Sequence, residues 1–230
     1  MNVLCIIPAR GGSKGIPKKN VQIFCRKPLI AFSIEHAKKA KYITKICVST
    51  DDIEIAKIAL SFGAQVIERP AEISNDAASS ESALKHTIEY LRKNENYEAD
   101  LVVFLQATSP IRNYEDIDKA IFYLNKTGLD SLLSVTKAHK FLWRLKDGKP
   151  VSINYDYNRR PRRQELEPEY FETGSFYIFK PWVLDKYDNR LGGKIGFYEI
   201  DFWHSFEIDS ADDFALCEWI YNYKKMEKEV

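Results

Sequence analysis

The chain has 230 residues, 45% hydrophobic and 29% charged, with a net charge of +1 and a sequence pI of about 7.6. A chain of that size buries a core without staples, and the balanced charge excludes a general polyanion binder, so the cations that matter must act locally. Four cysteines (Cys5, Cys25, Cys47, Cys217) form no C-x-x-C pair and the four histidines are scattered, which points to neither zinc nor thiol chemistry. No apolar run approaches the roughly 20 residues that span a bilayer, and no basic leader with a small-residue cleavage site opens the chain. A reduced, cytoplasmic setting is expected.

Residues 3–7 read as an apolar strand ended by Pro8, and a glycine- and lysine-rich loop follows. Pro28 suits the first turn of a helix running to about Lys41. Residues 43–49 predict a strand. Asp51 or Asp52 can cap the next helix, with Ile53, Ala56, Ile58 and Ala59 on its apolar positions and Gly63 as its stop. A short strand at 65–68 and a helix at 80–92 precede 101–105, the most apolar strand of all, which fits a central parallel position. A helix at 114–125 and a strand at 131–135 continue the rhythm. Repeated β-α-β units predict an α/β fold, a doubly wound, mostly parallel sheet of Rossmann-like kind, with ligands at the C-terminal ends of its strands. From 137 to 170 the helical period is lost. There 141–145 and 151–153 flank Lys146-Asp147-Gly148-Lys149, a hairpin turn, so an inserted β arm is expected. Residues 176–179 resume the sheet, a helical turn falls near 182–187, and 197–200 form a further strand. A last helix of roughly 211–225 is expected to turn Phe214, Leu216, Trp219, Ile220 and Tyr223 to the core.

Four segments carry candidate chemistry. Pro8-Ala9-Arg10-Gly11-Gly12-Ser13-Lys14-Gly15-Ile16-Pro17-Lys18-Lys19-Asn20 follows the first strand. Its three glycines let backbone N–H groups approach an anion, and Arg10, Lys14 and Lys19 supply charge, so it reads as a phosphate cradle or else a solvated basic turn. It is neither a Walker A loop nor a dinucleotide fingerprint. Gln106-Ala107-Thr108-Ser109-Pro110-Ile111-Arg112 offers donors and acceptors, or is a Ser-Pro turn that caps the next helix. Arg69-Pro70 with Asp76-Ala77-Ala78-Ser79-Ser80 reads first as a polar loop with an N-cap. Glu207-Ile208-Asp209 puts two carboxylates on one face of an extended segment. That pattern suits Mg²⁺ shared with substrate phosphates, unless Asp209 or Ser210 only caps the last helix. The basic run 159–164 is followed at once by Glu165, Glu167 and Glu169, which disfavours nucleic acid and leaves carboxylate recognition by a guanidinium fork.

Taken together, these segments resemble the acylneuraminate cytidylyltransferases, the CMP-sialic acid synthetases, over essentially the whole chain. The markers are I-P-A-R-G-G-S-K-G at 7–15 with Lys19-Asn20, R-P-A-E at 69–72, Ser79-Ser80, L-Q-A-T-S-P-I-R at 105–112, and G-S-F-Y-I at 174–178. The resemblance implies a nucleotide-binding α/β core in 1–136, an inserted β dimerisation arm in 137–170, and completion of the core by 171–230. It implies CTP and a nine-carbon 2-keto sugar acid as substrates, Mg²⁺ as cofactor, a homodimer, and neither nucleic acid nor membrane as partner. By the same resemblance, catalysis falls to Arg10, Lys14, Lys19 and Asp209. The nucleotide is bound by Ala9, Arg10, Gly11, Gly12, Lys19, Asn20, Arg69 and Ser80. The sugar is met by Gln106, Thr108, Ser109, Lys140, Arg163, Glu172 and Tyr177, and the metal by Asp209 and Glu207. Ala107 stands where the family usually has proline, Thr173 where asparagine is common, and Glu207 where an aspartate is common. The first loop differs from that of KDO-activating relatives, and residues 160–164 with 174–179 resemble enzymes for legionaminic-type sugars.

Overall fold

A computed structural model describes residues 1–12, 15–75, 77–138 and 140–229, without the side chains of Arg163 and of 227–229. Strand β1 (Val3–Pro8) leads into a loop and two short strands, β2 (Ile23–Phe24) and β3 (Lys27–Pro28), which pair with each other. Helix α1 (Leu29–Lys39), β4 (Lys45–Thr50), α2 (Ile53–Ser61), β5 (Gln65–Glu68) and α3 (Ser80–Glu95) follow. Then come β6 (Leu101–Leu105), α4 (Tyr114–Thr127) and β7 (Ser131–Ala138). An arm carries β8 (Trp143–Lys146) and β9 (Lys149–Ser152), and β10 (Glu169–Phe179), α5 (Pro181–Tyr187), β11 (Ile195–Glu199) and α6 (Ala211–Glu229) complete the chain.

Seven strands form one sheet in the order β11-β7-β10-β6-β1-β4-β5. β10 alone runs antiparallel to its neighbours β6 and β7; the other pairings are parallel. Apolar residues of β1, β6 and β10 point to both faces. On one face α1, α2 and α4 bury Ile30, Ile34, Ile55, Ala59, Ile117, Ile121 and Leu124. On the other, α3 and α5 bury Leu84, Leu91, Val183 and Leu184. Three layers result, the arrangement that covers a sheet buried on both sides.

Capping residues set the helix starts. Asp52 accepts from the amides of Glu54 and Ile55, Ser79 from Ser82, and Asn113 from Glu115. Ser210 and Asp213 cap α6 reciprocally, Oγ of Ser210 receiving the Asp213 amide and the Asp213 carboxylate receiving the Ser210 amide. Asp147 and Gly148 both have positive φ, which gives the tight turn between β8 and β9.

The expected strands are present at shifted ends, and three expectations need correction. Ile53 is 75% exposed and Ile55 is the inward residue of α2, because Asp52 fixes the helix start so that 55 and 59 share the core side. On α6 the core side is Phe214, Cys217, Ile220 and Tyr221, packed on Phe24 and Phe32. Leu216, Trp219 and Tyr223, expected inside, lie on the exposed side. The strand expected at 176–179 begins at Glu169, where the chain returns from the arm, and runs antiparallel. All four cysteines are free, and Cys5 and Cys47 are buried as expected. Among the described residues no helix is long and apolar enough to cross a membrane.

Candidate active site

Strand order reverses beside β1, with β4 on one side and β6 on the other. That is where an open α/β sheet leaves a crevice beyond its strand ends. A cavity of about 530 Å³ occupies it, a size typical of small-molecule sites. Each wall comes from a different strand end. Ala9, Arg10, Gly15, Lys19 and Asn20 come from the loop after β1, Arg69 from the end of β5, and Ser79 and Ser80 from the start of α3. Gln106 and Thr108 come from the loop after β6, and Asp209 from the segment before α6.

The basic loop is held in place from both ends. Asn20 donates through Nδ2 to the Arg10 carbonyl at 3.1 Å, and Arg10 donates to the Asn75 carbonyl at 3.0 Å. The Gly11 amide donates to the Asp51 carboxylate at 3.0 Å, so in this conformation that N–H is taken by a side chain of the loop after β4. Gly15 presses against the other wall, where an added Cβ would lie 2.2 Å from the Asp209 carbonyl oxygen. Only a residue without a side chain permits that approach. The Lys19 side chain is 11% exposed; its Nζ donates to the Ile208 carbonyl at 2.6 Å and to Asp209 Oδ1 at 3.0 Å. Since Ser210 and Asp213 supply the cap of α6, the Asp209 carboxylate, 71% exposed, is left to the cavity.

Arg69 is 7% exposed and is fixed by Ser49, whose hydroxyl and carbonyl accept from Nε at 3.1 Å and Nη2 at 2.6 Å. Burial holds its pKa below the usual arginine value. Gln106 faces Gly174, a residue at φ +63° in an irregular stretch of β10; a Cβ there would lie 2.6 Å from Glu207 Oε2 and 2.7 Å from Gln106 Nε2. Gln106, Gly174 and Glu207 therefore form one packed corner. Burial first, and then the negative charge of Asp209, push the Glu207 carboxyl up to about 7. A divalent cation would relieve that repulsion. Among the described residues no group of three or more His, Cys, Asp or Glu could hold a metal by itself. The paired carboxylates Asp209 and Glu207 fit an ion that takes one or two carboxylates plus substrate oxygens.

The structure brings Ala9, Arg10, Lys19, Asn20, Arg69, Ser80, Gln106, Thr108 and Asp209 to one cavity. Several expected residues stand elsewhere. Ser109 is 1% exposed, its hydroxyl turned into the protein without a partner. Tyr177 is 2% exposed and bonds the Glu172 carboxylate, forming a wall with the stacked ring of Phe104 rather than a polar contact. Lys140 lies at the root of the arm beside a separate cavity of about 290 Å³ with Lys137, Gln164 and Glu169. Gly11, Gly12 and Glu207 lie within two positions of a lining residue in sequence without lining the cavity themselves. Lys14 and the side chain of Arg163 lie outside the described residues. Sequence reasoning missed Arg190, which stacks over Tyr177 and Phe104 at 4.3 and 5.2 Å and pairs with Glu81 at 3.0 Å. Nothing in the pattern around Asn189-Arg190-Leu191 signals that role.

Comparison with known proteins bears on the family and the fold. A family model described as Cytidylyltransferase matches residues 4–214. An N-acylneuraminate cytidylyltransferase of Oncorhynchus mykiss is 36% identical over 94% of this chain, which spans about half the length of that relative. The post-translational flagellin modification protein B of Campylobacter coli is 33% identical, with 98% of this chain and 97% of that one covered. A pseudaminic acid cytidylyltransferase of Campylobacter jejuni is 36% identical over 81% of this chain and 83% of its own. Among solved structures, a CMP:2-keto-3-deoxy-manno-octonic acid synthetase complexed with CTP covers 97% of this chain and 100% of its own, with TM-score 0.72 at 18% identity, which bears on the fold alone. With the match running from β1 into α6 and the strand ends gathered on one cavity, this chain belongs to the cytidylyltransferase family.

Proposed function

We propose that this protein joins CMP from CTP to a nine-carbon 2-keto sugar acid of the sialic-acid type, with release of pyrophosphate. One observation carries the reading: a single cavity at the reversal of strand order gathers Arg10, Lys19, Asn20, Arg69, Ser80, Gln106 and Asp209. In the reaction the anomeric C2 hydroxyl attacks the α-phosphorus in line, the new O–P bond forms as the hydroxyl proton passes to water, and the bond to the departing pyrophosphate breaks. Such transfers depend on positioning and charge stabilisation more than on a nucleophilic side chain. Arg10 and Lys19, joined by Lys14, grip the triphosphate, while Arg69 and the start of α3 at Ser80 hold the nucleoside. Two of the three Lys19 ammonium protons are committed to Ile208 and Asp209, which leaves one for a phosphate oxygen. Gln106 and Thr108 form the sugar side, and the resemblance adds Lys140 and Arg163 to it. Asp209, with Glu207 beside it, would hold Mg²⁺, which neutralises charge on the phosphates when bound.

The relatives named for N-acylneuraminate and for pseudaminic acid match at the same 36% identity, so they do not separate the sugars. The markers at 160–164 and 174–179 favour a legionaminic-type acid. Exposed Trp143, Leu145, Ile153 and Tyr157 on the arm support a homodimer built through it. The expected setting is the cytoplasm.

Pyrophosphate release with CTP and each of N-acetylneuraminate, legionaminate, pseudaminate and KDO tests the reading. Turnover of a nine-carbon acid, abolished by EDTA and restored by Mg²⁺, is expected. No release with any of the four acids would overturn it.

A further inference from the structure

Arg112 is 4% exposed and, among the described residues, forms no ion pair; the groups it serves are all neutral. Its Nε donates to the carbonyl and the hydroxyl of Ser175, each at 3.0 Å. Nη2 donates to the Gln106 carbonyl at 2.9 Å and again to the Ser175 carbonyl. Nη1 donates to the Ser33 hydroxyl at 3.2 Å, and that hydroxyl donates onward to the Gln106 carbonyl at 3.0 Å. One guanidinium thus ties together α1, the loop after β6 and the irregular stretch of β10. Burying a charge without a counter-charge is costly, and here burial holds the pKa down at about 9. A fold that needed only packing would place an apolar side chain there.

The two segments that Arg112 clamps are those that build the Gln106–Gly174–Glu207 corner. None of its bonds reaches the loop after β1, Arg69 or the start of α3. We propose that Arg112 is a positioning residue for the sugar acid: its fork holds the Gln106 loop against β10 and so fixes the sugar side of the cavity, leaving the nucleotide side untouched. A planar fork with five donors can serve these acceptors at once, whereas an ammonium cannot.

This inference rests on the proposed cytidylyl transfer, so the wild type is first assayed with the same four acids and the one turned over is used below; no turnover of any of them would overturn both. Arg112→Lys keeps the charge and loses the fork. The KM for the sugar acid should then rise at least about tenfold, with the Kd for CTP, measured calorimetrically without sugar, within about twofold of wild type. Ser33→Ala removes one relay without touching the charge and should shift the sugar KM in the same direction by about two- to fivefold. A purely structural role would lower Tm and move both substrates together. Equal shifts for sugar and CTP, or an unchanged sugar KM in Arg112→Lys, would overturn the inference. If Arg112→Lys does not fold, Ser33→Ala decides: no sugar-selective shift there is the refuting result.

Discussion

Lys19 is held by partners nearly two hundred positions away, a carbonyl and a carboxylate of the segment before α6. That grip places a nearly buried ammonium on the cavity wall, where under the proposed function an incoming phosphate oxygen would complete its donor set. Lys19→Ala should remove a charge-assisted bond of about 1.5–3 kcal/mol, which is about 10- to 150-fold in kcat/KM. Steady-state kinetics at saturating sugar acid would show it as a loss on the CTP side; near wild-type values in a folded variant would take Lys19 out of the site. That Arg10, Lys19 and Asp209 would gather at one place was legible because cations and three glycines after a first strand, and two carboxylates before a last helix, are local patterns. Arg112 was not legible as a clamp. Its partners at 33, 106 and 175 are brought together only by the fold, and in sequence it is one more basic residue at a loop end.

At the scale of elements, helices and strands were readable from period and caps, while their faces and directions were only partly so. α6 carries two apolar stripes, and the one that packs runs through Phe214, Cys217, Ile220 and Tyr221. Its partners Phe24 and Phe32 decide this, and they lie far away in the chain. The apolar run of β10 fits a buried strand of either direction, so its antiparallel course was not legible. The loop after β1 and the segment before α6 meet at Gly15, where backbone touches backbone. Gly15→Ala would drive a methyl into the Asp209 carbonyl, a contact that neither side can relieve by rotating a side chain. Overpacking of this kind costs about 1–3 kcal/mol. Because the shift falls on Asp209, activity should drop more than Tm implies. Differential scanning fluorimetry beside kinetics separates the two; a wild-type kcat/KM with an unchanged Tm would show that the loop has room.

For the molecule as a whole, protonation sets one limit on stability. His36 has Nδ1 closed off from water without a hydrogen-bond partner, and Arg112, Lys39, His204 and Lys27 lie around it. Burial first, and then these positive groups, hold its pKa well below 6.5. The folded protein keeps His36 neutral while the unfolded chain takes up a proton below that value. Its contribution is therefore complete above the unfolded pKa and lost as pH falls. Stability should fall as pH drops from about 7.5 through the unfolded value of about 6.5. His36→Gln should flatten that part of the Tm-against-pH curve, and identical slopes in both proteins would show that the imidazole titrates freely in the fold. The position of β10 has a further consequence, for synthesis on the ribosome. β6 and β7 are complete by residue 138, yet neither pairs with the other, and the strand that joins them is made only at 169–179. A nascent chain released at any point between therefore exposes the β6 edge that faces β10 in the finished sheet and leaves β7 unpaired on both sides, since β11 follows only at 195–199. Stalled or truncated chains ending in that window should be the aggregating species, and chains extended past Glu199 should not.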